Sequence, residues 1–154
     1  MPVSLPENKS PLTVDMIRQF LRDVPDKNIL LDDIEFTDQD INFAIQLATS
    51  MYNTMPPATN LESAQIPIYI LLLGVCYFLL NSEGIRQMRN QIVTQDGNIA
   101  PVGIDEKEGL YRTWADNFKQ EFTYTAGRYK TSQNMEACYG NFGSGYAWVG
   151  RWNH

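Results

Sequence analysis

The chain has 154 residues, 44% of them hydrophobic, and a net charge of -6 from 12 Lys+Arg against 18 Asp+Glu. That is enough apolar material for one domain with its own core, which argues against disorder throughout. An acidic chain with no Lys/Arg run has little with which to neutralise phosphates, so strong non-specific nucleic-acid binding is excluded too.

Residues 1–12, with Pro2 and Pro6, suit an extended arm. No basic segment followed by an apolar stretch occurs there, so residence in a cytoplasm is expected. A helical domain is then expected over 13–138. Thr13 is placed to cap a short helix in which Val14, Ile17, Leu21 and Val24 share a face and which Pro25 ends.

Asp32, Asp33, Glu35, Asp38 and Asp40 cluster like the ligands of a hard cation. The turn glycine and closing glutamate of a calcium loop are both missing, however. An N-cap at Thr37 with acids at the positive end of a helix dipole explains the same residues. From that cap Ile41, Ala44, Ile45, Ala48 and Tyr52 form a stripe, and the helix stops before Pro56-Pro57.

Pro67 suits a first helical turn, and Ile68 to Leu80 follow as a nearly unbroken apolar run. Thirteen residues rise only about 20 Å as a helix. The hydrocarbon slab is about 30 Å, so burial in protein is expected rather than a membrane span. The helix is expected to continue past Gly84 to Asn90, with Arg86 and Arg89 three apart, available to a partner's acids or to the helix's own last carbonyls.

The period then changes. Ile92-Val93-Thr94 and Ile99 to Val102 flank Gln95-Asp96-Gly97-Asn98, which predicts a small β-hairpin near 91–104, with Pro101 confining its second strand to an edge. A long irregular connection fits the same residues. Asp105 with Glu108 resembles a capping box and opens the last helix. There Leu110, Trp114, Phe118, Phe122 and Tyr129, flanked by Tyr111, Ala115 and Ala126, predict a core-facing stripe.

The segment 139–154 holds Tyr139, Phe142, Tyr146, Trp148 and Trp152 among Gly140, Gly143, Gly145 and Gly150. Clustered aromatics mark an interaction surface, and closely spaced glycines carry an ordering entropy that contact must offset. Such an arm either folds back over its own core or docks on a partner.

Little in the chain suggests catalysis. The one histidine is His154, and Cys76 and Cys138 show neither metal spacing nor a disulfide framework. Gly140 to Gly145 lacks the strand, helix and lysine of a phosphate loop. No catalytic residue, cofactor or metal site is expected.

Two segments resemble small virion proteins of tailed bacteriophages. One is the acid-capped helix from Phe36-Thr37-Asp38-Gln39-Asp40 to Asn53 and the double proline. The other runs from Arg89-Asn90-Gln91 through Asp96-Gly97-Asn98 to Asp105 and Tyr111. This order of helix, apolar helix, hairpin and helix is similar to head-to-tail connector or adaptor proteins of the phage neck. The resemblance covers roughly residues 30–130 and excludes the tail, which leaves collar, tail-completion and baseplate proteins, or a small helical protein-binding regulator, as alternatives.

The resemblance implies a non-enzymatic ring of about twelve copies between portal and tail, assembled in a bacterial cytoplasm. Expected partners are other copies of the chain, the portal and tail or neck proteins, and no membrane. DNA would pass through the lumen without specific binding. The charge distribution suits that use, because residues 1–85 carry four Lys/Arg against eleven Asp/Glu and residues 86–154 eight against seven. An acidic lining repels DNA and lets it slide. The expected fold is mainly α, a bundle of about four helices with a hairpin between the last two and extended arms at both ends. The expected interface residues are Asp96, Gly97, Arg86 and Arg89 with the five tail aromatics.

Overall fold

The computed structural model describes residues 11–28, 33–89 and 107–139. Four α-helices carry it: α1 Val14–Leu21, α2 Asp38–Thr54, α3 Ile68–Arg89 and α4 Lys107–Tyr139, with a 3-10 turn at Ser63–Gln65 before α3.

Local chemistry sets the helix ends. The Thr13 hydroxyl accepts the Met16 N–H at 3.3 Å, and α1 stops when Arg22 turns left-handed at φ 61° and its N–H returns to the Arg18 carbonyl. Val24 therefore lies beyond the helix, which ends before Pro25 is reached. Leu12, assigned to the arm from sequence, is fully buried and belongs to the core. At α2 the Thr37 hydroxyl accepts the Asp40 N–H while the Asp40 carboxylate accepts the Thr37 N–H, closing a capping box.

The expected α2 stripe is buried in full: Ile41, Ala44, Ile45, Ala48 and Tyr52. It faces α3, which packs against both α2 and α4, while α1 makes smaller contacts with α2 and α3. On α3, Leu71, Leu73, Val75, Cys76 and Leu79 are buried, and Phe122 of α4 is fully enclosed. Each such side chain contributes about 1.5–3 kcal/mol on leaving water. Close approach occurs at Gly74, where an added methyl would lie 2.9 Å from the Ala48 Cβ and 3.0 Å from the Phe122 ring.

α3 has 22 residues rather than the thirteen of its most apolar run, so length and composition alone would let it cross a membrane. Half of its apolar window is instead buried inside the bundle.

Two further expectations are corrected. The mainly helical, four-helix architecture is present, but among the described residues there is no strand and no β-hairpin. Its residues 91–104, with Asp96 and Gly97, lie outside them. A two-stranded ribbon is marginal alone, and the described residues, all helix and turn, contain no sheet edge that one could extend.

The α4 stripe is only half core. Phe122 is fully buried and Phe118 and Tyr129 pack partly, but Trp114 is 59% and Leu110 66% exposed. Steps of four residues drift around a helix of 3.6 residues per turn, so Leu110 and Phe122 point about 120° apart. The buried line runs instead through Ala115, Phe122, Ala126 and Lys130, with Tyr111 partly covered.

Candidate functional site

Glu83 lies within the apolar helix α3 and is 3% exposed. A buried carboxylate needs partners, and the following turn supplies them. Arg86 Nε approaches Glu83 Oε2 at 2.8 Å and its Nη2 donates to Oε1 at 2.8 Å, while Gln87 Nε2 donates to the same Oε1 at 2.6 Å.

Glu35, from the turn before α2, closes the cluster. Its Oε1 lies 3.7 Å from Arg86 Nη2 and accepts the Tyr111 hydroxyl at 3.2 Å. Three separate stretches of chain thus meet through two acids, one guanidinium and one phenol. Burial, with the nearby Glu83 charge, raises the Glu35 pKa, against the lowering effects of the Tyr111 hydrogen bond and Arg86. Tyr111 is pushed up to about 12 by burial and the Glu35 charge. The hydrogen bond to Glu83 raises Arg86.

Sequence reasoning missed this cluster because no short motif links Glu35, Glu83 and Tyr111. One signal was present: an acid one turn past the apolar run, with an arginine three residues on.

Beside the cluster a cleft of about 200 Å³ opens between α2 and α3. Phe43, Leu47 and Phe78 form its apolar walls, and Glu35, Asp40 and Glu83 line it against the single Arg86. Phe43 is 53% exposed at the rim.

A second apolar surface lies where α1 meets α4. The Phe20 and Phe118 rings are 6.1 Å apart, edge to face, and Trp114 sits 6.2 Å from Phe118. Phe20, Met16, Trp114 and Leu110 are all exposed. Apolar side chains gathered in this way mark a place for contact with another macromolecule.

At the opposite end of the bundle Lys130 fastens α4 to α2. Its Nζ donates to the carbonyls of Tyr52 at 2.5 Å, Met55 at 2.8 Å and Pro57 at 3.0 Å, and lies 4.4 Å from the centre of the Tyr52 ring. The last carbonyls of α2 thus receive a cation, which suits the negative end of its dipole. Beyond Lys130, residues 131–138 of α4 are all exposed.

The acidic stretch read from sequence is dispersed among structural tasks. Asp38 accepts Arg18 Nη2 at 2.6 Å, Asp40 closes the capping box, and Glu35 joins the cluster above. A neighbouring acid, Asp23, is 3% exposed and pairs with Arg18 at 3.1 Å while accepting the Glu35 and Phe36 N–H groups. Among the described residues no group of three or more His, Cys, Asp or Glu side chains is placed to hold a metal. Burial pushes the Cys76 thiol up to about 12, which leaves little thiolate for chemistry, whereas Cys138 is exposed.

Of the expected interface residues, Arg86 is engaged within the chain and Arg89 is exposed at the end of α3. Tyr139 closes α4. Asp96, Gly97, Phe142, Tyr146, Trp148 and Trp152 lie outside the described residues. Comparison of the chain with protein-family models, curated proteins and solved structures finds no match.

Proposed function

We propose that the chain is a non-enzymatic structural protein of a tailed-phage virion, a head-to-tail adaptor that forms a ring between portal and tail. The observation that carries this is α4: its last turns, residues 131–138, are exposed on every side and lead directly into the glycine-aromatic segment 140–154. A helix of 33 residues that outruns its own bundle is an arm, and an arm tipped with aromatics suits contact with a neighbour. The buried charges support the same reading, because Arg18, Glu83 and Lys130 each have intramolecular partners that fix the fold.

Mass spectrometry of gradient-purified virions tests the proposal. The chain should appear in a fixed ratio to the portal protein, as a ring requires, and electron microscopy should place it in the neck. Its absence from purified particles sinks the assignment.

The exposed Phe20–Phe118–Trp114 surface favours a second reading, a small helical regulator that binds one host or phage protein. A stoichiometric soluble complex without incorporation into virions would decide for it.

A further inference from the structure

The cleft between α2 and α3 and the root of the tail lie toward opposite ends of the bundle. Gly74 faces Phe122, Gly84 faces Tyr111, and Lys130 meets the end of α2. Hence α3 and α4 run antiparallel, and the acids of the cleft sit level with the start of α4. From Tyr111, which touches Glu35, to Tyr139 the helix rises about 42 Å.

We propose that the tail segment 140–154 of one copy docks in this cleft on a second copy; the inference rests on the assembly role proposed above and supplies the acceptor surface for the arm. Two observations favour this occupant. The first is chemical complementarity. The tail carries Arg151 and His154, no Asp or Glu, and two tryptophans flanking Arg151. The cleft pairs the apolar walls Phe43 and Phe78 with Glu35, Asp40 and Glu83, opposed only by Arg86. An indole between the rings and a guanidinium beside the acids would satisfy both halves of the site.

The second is reach. Arg151 is twelve residues beyond Tyr139, and a chain of that length spans at most about 40–43 Å when fully extended. A glycine-rich coil of the same length spans about 20 Å on average. To place Arg151 at the acids of its own cleft the tail would have to be stretched to its limit, with no slack and at a large entropic cost. A neighbour's cleft is under no such limit. The contact is therefore in trans and joins unlike surfaces, the arrangement that closes into a ring or runs on as a filament.

Complementation between full-length variants tests this. Phe43→Lys alters the exposed rim of the cleft and adds a charge that repels Arg151, whereas Trp148→Ser with Trp152→Ser disarms the tail. In sedimentation velocity the wild-type chain should grow in mass with concentration, and each variant alone should stay monomeric. An equimolar mixture of the two should form a one-to-one dimer and stop there, since only one intact tail and one intact cleft remain to meet. Circular dichroism checks that F43K is folded. If it is not, Ser82→Arg on the same cleft takes its place.

A mixture that stays monomeric overturns the proposal. So does a cleft variant that associates like wild type, or loss of association with Trp114→Lys and not with the cleft variants, which would move the acceptor to the α1–α4 surface. A wild-type chain that remains monomeric at its highest soluble concentration also overturns it, whatever virions contain. Absence of the chain from virions would refute the neck assignment and leave the solution contact standing.

Discussion

At Glu35 burial and charge pull against each other. Its carboxyl is partly shielded from water and faces Glu83, so it holds its proton more tightly in the folded chain than in the unfolded one. Folding therefore takes up protons in the window that starts at the ordinary value of 4.5 and ends at the raised folded value. Stability falls as pH rises through that window. Glu35→Gln keeps an acceptor for the Tyr111 hydroxyl and removes the charge. It should melt above wild type at about pH 7, with the gap closing as the pH is lowered towards about 4. A gap independent of pH would show that Glu35 does not titrate differently on folding. At this scale the sequence was least legible. Thr37 announced its cap because an N-cap is a local device, readable from a few neighbours. Glu35, Glu83 and Tyr111 meet only through tertiary packing, and the role of Lys130 on the α2 carbonyls depends on a crossing that no short pattern encodes.

Among the elements, α3 decides how closely its neighbours approach. Gly74 lets the Ala48 methyl of α2 and the Phe122 ring of α4 close on the α3 backbone from different sides. A methyl at that position meets a short side chain on a packed helix at 2.9 Å, which cannot swing aside. Gly74→Ala should therefore destabilise the fold by about 1–3 kcal/mol, less the gain of about 1 kcal/mol in helix propensity. Urea denaturation would measure the difference, and adding Ala48→Gly should recover part of it. A stabilised G74A variant would show that the three helices are less tightly packed than this. Periodicity made α2 readable because its apolar residues keep close to 3.6 residues per turn between two strong end signals. α4 was misread at its start, where Leu110 and Trp114 continue a four-residue rhythm that turns away from the core. Both are exposed, whereas sequence patterning alone assigns large apolar residues to the interior.

For the whole molecule, the core cluster is drawn from all four helices and the segments between them, with Ile17, Tyr52, Leu71, Leu73 and Phe122 among its members. A chain ending at Tyr139 should accordingly keep the melting temperature of the full chain in dilute solution and lose only its association. A clear drop in melting temperature would mean that the tail covers its own core. Lys130 has a consequence for how such a body fits a crowded assembly. Every residue from Thr131 to Cys138 beyond it is exposed, so the nine residues from Thr131 to Tyr139 act as a lever of about 13 Å pivoting on one ammonium group and three carbonyls. A small bend at that pivot re-aims everything beyond it and leaves every core contact intact. In the proposed assembly, copies of one rigid bundle would then meet neighbours at slightly different angles, with the mismatch absorbed at the pivot instead of in the packing.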